Sequence, residues 1–560
     1  MKKAGKIQHR PLSSTTQGQH TFAKVPRSHV PRTAFNRSCG MKTTFNFGEI
    51  VPVFTDEALP GDTMNMNPTI FARLATQIRP VMDNMYMDLH WWSVPYRLVW
   101  DNWEKFCGSQ DDPGDSTDYL TPLVTVPVGG FEHNGFYDHI GVPPQIDHNE
   151  VVNFYGRGIN LIWNEWYRDE NLQDSVPVAK DDGPDNPDHY DTLHKRGKRY
   201  DYFTSALPWP QKGPAVELNL GTSAEVTLDD PQILYPSGSG DLYPTFTGTT
   251  SGDGWLYGTG GASPSSASWQ SSSSTVIGGK ARWDDPALSI DLGGATGVAD
   301  LSTAVSATIN DLRQSISIQR LYEKDARGGT RYKEILLSHF GVQSNDGRLQ
   351  RPEYLGGGTI PLQINTIVQN SGYGTGAATF MGDTAGYATG MGQPTGFSKT
   401  FQEHCLIIGV ISARADLNYQ QGLDRSHSRR TRWDYYWPEL ANLGEQSILN
   451  KEIYAQGNAS DEDVFGYQER FAEYRYKPSQ VSAQMRSGSP SAGFYPLDVW
   501  HLSQDFASLP ALGATFIEEN PPVDRITIVT AGPEIVMDSF FSYRSVRPMP
   551  QYGVPGLTRL

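Results

Sequence analysis

Asn84–Val94 reads NMYMDLHWWSV. Met85, Met87, Leu89 and Trp91 alternate with Tyr86, Asp88, His90 and Trp92, the period of two that marks a β-strand. Both faces carry large side chains, so this strand is buried on both sides or pressed against a neighbouring subunit. His404–Leu417 (HCLIIGVISARADL) predicts a second buried strand, and Arg525–Ser542 a strand pair interrupted at Gly532–Pro533. Helical spacing appears in Arg97–Gly108, where Gly108 suits a C-terminal cap, and in Val151–Arg168. It recurs at Ile309, Leu312 and Ile316, and in Tyr332–Phe340 before Gly341. Asp169–Asp191 is acidic and Pro-rich, hence a loop. The order of strands, helix, strands, long insertion, helices and strands is not a regular alternation. It therefore argues against a doubly wound sheet and for an all-β core carrying insertions.

Composition agrees. Among 560 residues there are 56 glycines and 38 prolines, a mix that favours short strands joined by structured loops. Cys39, Cys107 and Cys405 are too few for a disulfide framework, which fits folding in a reducing cytoplasm. No run of about 18 apolar residues exists, so no membrane insertion is expected. No apolar stretch follows the basic N-terminal residues, which excludes a secretory signal there.

Charge is segregated. The first acidic residue is Glu49, and before it stand Lys2, Lys3, Lys6, Arg10, Lys24, Arg27, Arg32, Arg37 and Lys42. The whole chain carries −16; without these nine cations it holds 37 basic and 62 acidic residues, a net of −25. A basic, Pro-punctuated arm on an acidic body points to contact with a polyanion. The opposite extreme is Gly213–Gly279, which has no Lys, Arg or His. Stretches such as GTTSGDGWLYGTGG make it an exposed, loop-rich insertion, with Trp255, Tyr257 and Trp269 as candidate anchors.

No catalytic motif stands out: HExxH, paired CxxC and GxxxxGK[ST] are absent, and no cofactor site is read. SGYGTGA near Gly374 lacks dinucleotide-loop spacing and reads as a loop. Asp181, Asp182, Asp185 and Asp188 lack the order of a calcium loop, so they read as a solvated acidic turn and no metal site is assigned. Adjacent acids such as Asp169–Glu170 and Glu518–Glu519, with 13 Trp and 27 Tyr, raise the alternative of a secreted carbohydrate-active enzyme on a β scaffold. Arg425–Trp437 (RSHSRRTRWDYYW) is richer in meaning. Arginines beside Trp and Tyr suit single-stranded nucleic acid, and the same composition marks a protein interface, the favoured reading for a chain that self-assembles.

Longer blocks carry a family signature. HTFAKVPRSHVPRTAFNRS, LPGDTMNMNPTIFARLATQIRPVMDN and VPYRLVWDNWEKFCG are followed by ALPWPQKG and INDLRQSISIQRLYEKDARGGTRYKEILLSHFGV. RLQRPEYLGGG, RWDYYWPELANLGEQSILNKEIY and VRPMPQYGVPGL complete the series. In this order they resemble the major capsid proteins of the Microviridae, and within them the gokushovirus-like branch. The resemblance covers nearly everything except Gly213 to about Ala307. It implies an eight-stranded antiparallel viral jelly-roll barrel with large loop insertions and several short helices. It also implies a homo-oligomer of 60 copies in a T=1 shell around circular single-stranded DNA, assembled in the host cytoplasm. Implied partners are an internal scaffolding protein, a DNA pilot protein, a small basic DNA-binding protein and a host surface receptor.

Within that frame four segments are expected. Residues 1–48 form an interior basic arm, with Lys2, Lys3, Lys6, Arg10, Lys24, Arg27, Arg32 and Arg37 as DNA-contact candidates. Residues 49–212 begin the jelly roll, 213–307 form a host-facing surface protrusion, and 308–560 complete the barrel and its C-terminal extension. Trp91, Trp92, Arg429, Arg430, Arg432, Trp433, Tyr435, Tyr436 and Trp437 are the subunit-interface candidates.

Overall fold

The computed structural model describes residues 31–112, 114–147, 150–213, 309–327, 350–370, 382–416, 418–491 and 493–552. Contacts divide the chain into one unit of Met1–Pro214 with Arg320–Leu560 and another of Ala215–Gln319. In the second unit the described residues belong to the helix Ile309–Arg327. The expected helix Tyr332–Phe340, the SGYGTGA loop and residues 214–279 lie outside the described residues.

In chain order the strands of the first unit are Thr33–Asn36 (β1), Cys39–Phe45 (β2), Val51–Ala58 (β3), Thr63–Leu74 (β4) and Met85–Pro95 (β5). Two short strands follow, Leu123–Val124 (β6) and Val151–Val152 (β7), paired with each other. Then come Glu353–Val368 (β8), Thr384–Gly392 (β9), Phe397–Thr400 (β10) and Cys405–Ala415 (β11). The ribbon Glu445–Leu449 (β12) and Val464–Glu469 (β13) precedes the last strand, Ile535–Arg547 (β14).

Eight strands make the barrel: β2, β3, β4, β5, β8, β9, β11 and β14. Every pairing among them is antiparallel, and the first pairs with the last, the second with the seventh, the third with the sixth and the fourth with the fifth. Pairs β4–β14 and β5–β11 complete two four-stranded sheets, β2–β14–β4–β9 and β3–β11–β5–β8. This wrapped connectivity is a jelly roll. β8 is long enough to pair with β5 at its start and β9 at its end, curling the sheets into one barrel. Residues 96–352 link β5 to β8, and residues 416–534 link β11 to β14. These two insertions hold nearly all the helices and turns.

The alternation in β5 sorts its side chains between two cores. Met85, Met87, Leu89 and Trp91 enter the barrel interior with Ile407, Ile411 and Phe541. Trp92 and Val94 enter a second core with Leu406, Ile408 and the insertion residues Phe154, Ile159 and Ile162. Trp91 is 0% exposed and Trp92 3%, so the expectation that they meet another subunit is corrected. The large residues on both faces of the strand are explained by the subunit's own insertion, whose helix Phe154–Ile162 covers the sheet. The stretch before β14 is also corrected: Val523–Arg525 is a 3-10 turn, and only Ile535–Arg547 is a strand.

Trp91 sits over Gly409 of the neighbouring strand, its register partner. A Cβ on Gly409 would lie 2.5 Å from the indole ring, so only a hydrogen fits there. Gly409→Ala is expected to cost about 1–3 kcal/mol through overpacking, read as a lower urea midpoint with unchanged slope. An unshifted midpoint would mean the ring is not held against this glycine.

Two histidines are locked in by the insertion. His90 shares a 2.7 Å hydrogen bond with the Tyr167 hydroxyl, and burial beside Arg196 pushes its pKa down to about 4. His194 Nε2 donates to Asn160 Oδ1 at 2.6 Å, stacks on Trp163, and is pushed to about 4 by burial. Both stay neutral in the fold, while in the unfolded chain they take up protons below about pH 6.5. Stability is therefore lost as pH falls from about 6.5 to 4, on the order of 2–3 kcal/mol per histidine. Thermal melts of the His90→Gln subunit should show a shallower loss between pH 7 and 5 than the native chain. Parallel pH profiles would contradict this.

Candidate assembly interface

Arg425–Trp437 is a ledge in the β11–β14 insertion, built from consecutive tight turns. Asp424 caps the first by accepting from the Ser426 amide at 2.8 Å. Asp434 closes the second, Arg432–Asp434, accepting from the Thr431 amide at 2.7 Å and the Arg430 amide at 3.0 Å. These backbone donors hold the Asp434 carboxyl below its ordinary pKa.

The ledge's arginines separate into two kinds. Arg425 is half-buried and donates to Glu452 Oε1 at 3.0 Å and to the Ser447 carbonyl at 2.8 Å. Arg429 donates to Glu473 Oε1 at 3.2 Å and lies over the Tyr474 ring at 4.2 Å. These two anchor the ledge to the β12–β13 ribbon and its flanks. Arg430 and Arg432 are exposed, and neither has an acidic partner among the described residues. The Arg432 guanidinium lies over Trp437 at 4.5 Å and near Trp433 at 5.5 Å, while Trp437 Nε1 donates to the Arg432 carbonyl.

The aromatic side chains therefore stand rigid and open. Trp433 is 60% exposed, Tyr435 51%, Tyr436 50% and Trp437 39%. Tyr435 lies near Arg429, and Tyr436 packs edge-on to Phe471 instead of on an arginine. Packed rings lose little entropy on contact, and Trp, Tyr and Arg dominate the energetic centres of protein interfaces. Sequence reading does not single out Glu473 and Tyr474, which complete the ledge. Their signal is the second Arg–aromatic run, RFAEYRY at 470–476. Behind the ledge a cavity of about 310 Å³ is lined by Tyr202, Tyr419, Arg425, Glu452, Glu473 and Tyr476.

Other sequence candidates fall differently. Lys2, Lys3, Lys6, Arg10, Lys24 and Arg27 lie outside the described residues, as do Trp255, Tyr257 and Trp269. Arg32 is exposed and donates to Thr63 Oγ1 at 2.7 Å. Arg37 is corrected as a DNA contact: it forms a two-pronged ion pair with Asp56 and packs on Tyr543, so its charge is neutralised within the subunit. The acidic turn is solvated at Asp181, Asp182 and Asp188, and only Asp185 departs from that expectation. Asp185 is buried against Arg157, Asp181 also reaches Arg157, and Asp182 accepts from Trp100 and Asn102. Among the described residues no group of His, Cys, Asp and Glu is arranged to hold a metal ion. Of the adjacent acids, Glu519 is buried and accepts from the Ala415 amide, whereas Glu518 accepts from Gln173. No described helix is long and apolar enough to cross a membrane.

A jelly roll is shared by viral capsid subunits, lectin domains and cupins, and exposed aromatic anchors suit a protein interface. The comparisons select the first of these classes. The family model for capsid protein (F protein) matches residues 23–557. Capsid protein VP1 of Bdellovibrio phage phiMH2K is 50% identical over 541 residues, covering 96% of this chain and 97% of that protein. Capsid protein VP1 of Chlamydia phage 1 is 41% identical over 594 residues, covering 97% of this chain and 98% of that protein. Capsid protein VP1 of Spiroplasma virus 4 is 34% identical over 570 residues, covering 98% and 99%. The chain belongs to the capsid protein (F protein) family of the Microviridae. It is a structural major capsid protein and a component of the virion.

Proposed function

We propose that sixty copies close a T=1 shell around a circular single-stranded DNA genome, with Arg425–Trp437 seated between copies. The observation that carries this reading is the ledge itself. Four exposed aromatic side chains within five residues are more apolar anchor than a lone subunit needs, and Arg432 supports the two tryptophans among them. Modest contacts repeated by symmetry are enough to close a shell.

In this reading the arm from Lys2 to Arg32 faces the genome and touches phosphates without reading sequence. Arg37 belongs to the barrel instead, so the arm's genome-facing part is shorter than its charge pattern suggests. The insertion 213–307, base-free over Gly213–Gly279, faces outward, away from DNA, and meets a host surface receptor. A scaffolding protein, a pilot protein and a small basic DNA-binding protein act alongside the shell. Non-enzymatic assembly accounts for these features without a catalytic site.

The test is nuclease treatment of particles purified on a density gradient. The expected result is circular single-stranded DNA that co-sediments with this chain and survives the nuclease. Protein that sediments free of protected DNA would contradict genome enclosure.

A further inference from the structure

Much of one sheet face of the barrel is left open along β4 and β14. In β2–β14–β4–β9, side chains such as Met64, Met66, Ile70, Met537 and Phe541 point into the core. On the other side Phe71 is 48% exposed and Phe540 53%, with Arg73, Arg544, Asn65 and Asn67 also exposed. The β4–β14 register aligns Arg544 with Asn65, Ser542 with Asn67, Phe540 with Thr69, Asp538 with Phe71 and Val536 with Arg73. Along the sheet the face therefore runs cation, amides, ring, ring with Asp538 beside it, cation. The two arginines are eight strand positions apart, about 27 Å.

Two cations of this face are not internally satisfied. Asp538 is paired with Lys42 at 3.3 Å. Arg73 and Arg544 have no hydrogen-bond or ion-pair partner among the described residues. Beside Phe71 an open groove of about 800 Å³ is lined by Lys42, Phe71, Arg73, Val536 and Asp538. That volume lies within the range of small-ligand clefts, about 300–1,000 Å³. The first described strand, β1, pairs with β14, and its Asn36 stands opposite Arg544. The described chain thus begins with a strand at the edge of this same sheet.

We propose that this face is a stacking platform for unpaired nucleotides of the packaged genome. Phe71 and Phe540 receive bases, while Arg73 and Arg544 hold phosphates at either end. The chemistry separates this occupant from a protein partner. Protein interface cores are depleted in charge, whereas single-strand sites combine open rings with cations that follow the backbone. Stacking on a phenyl ring tolerates any base, so the platform is sequence-neutral. The proposal rests on the genome-enclosure reading and locates the contact within it.

Ultraviolet crosslinking of intact particles, followed by mass spectrometry of peptides, tests it. Nucleotide adducts are expected on the peptides holding Phe71 and Phe540. With full-length subunits and an oligothymidylate probe, Phe71→Leu/Phe540→Leu should bind roughly tenfold or more weakly. Arg73→Gln/Arg544→Gln should flatten the log–log salt dependence by about 1.4, the release expected from two phosphates on a single strand. All four positions are exposed, so melting temperatures should stay near that of the native chain. DNA-filled particles whose adducts avoid both peptides, with unchanged oligonucleotide binding, would overturn the platform alone. Protein–protein crosslinks at Phe71 and Phe540 would also overturn it, since another chain would then cover the face. Particles free of DNA would overturn the enclosure reading and the platform together.

Discussion

Asp185→Ala is expected to destabilise the subunit by roughly 3–5 kcal/mol, among the largest effects of any single change outside the barrel. Arg157 and Asp185 are both buried, and the guanidinium donates through Nε and Nη2 to the two carboxylate oxygens at 2.7 Å. Asn153 Nδ2 donates to the same carboxylate at 2.6 Å, and the Tyr137 hydroxyl donates to Asn153 Oδ1. Arg157 Nη1 also reaches the Val99 and Asp181 carbonyls. Truncating Asp185 leaves a buried cation with no carboxylate of its own depth, because Asp181 is largely exposed. The network ties the helix Phe154–Ile162 to the loops at both its ends, and that helix covers the outer face of β5 and β11. The urea midpoint measures the loss. A loss below about 1 kcal/mol would contradict the account, and Arg157→Met in the same chain should recover part of it by removing the stranded charge.

Trp433→Ala/Trp437→Ala should have the opposite profile. Both rings are exposed, so the subunit's melting temperature should barely move. Assembly should fall steeply. Interface aromatics of this kind contribute about 2–4 kcal/mol each, and about 2.8 kcal/mol is a hundredfold in association. Gradient yield of particles should therefore drop at least about a hundredfold while soluble, folded subunit accumulates. Arg432→Ala should act in the same direction and more weakly, because it removes the support beneath Trp433 and Trp437 rather than the rings. Particles at native yield would place the ledge outside the assembly contacts.

The barrel was legible where a strand lies inside one subunit. The alternation of Asn84–Val94 and the apolar run of His404–Leu417 correspond to Met85–Pro95 and Cys405–Ala415. The helix in Val151–Arg168 is present as Phe154–Ile162 followed by a wider turn, Trp163–Tyr167. What periodicity cannot say is what covers a two-faced strand. Trp92 looks the same in sequence whether another copy or the chain's own insertion buries it. The same ambiguity affects charge. Arg37 counts as one cation of the arm until Asp56, in β3, is seen beside it. Likewise Lys195, Arg196, Lys198 and Arg199 are four cations within five residues. In the fold Arg196 is buried with Asp88, and Lys198 lies over Phe516. Each of these pairings joins residues far apart in the chain, so local pattern holds no record of it. The ledge was legible because its chemistry is local, with rings and arginines within thirteen residues. Sequence reading does not single out the open face of β4, although Asn65, Asn67, Thr69, Phe71 and Arg73 alternate with buried positions there. Only the register against β14 adds Phe540 and Arg544 to it.

A reconstruction of the purified particle by electron cryo-microscopy tests the central claim most directly. The account predicts sixty copies of the barrel in a T=1 shell, with Trp433, Tyr435, Tyr436 and Trp437 buried against a neighbouring copy. A shell in which those four side chains remain open to solvent, or a preparation holding only dispersed subunits, would contradict it.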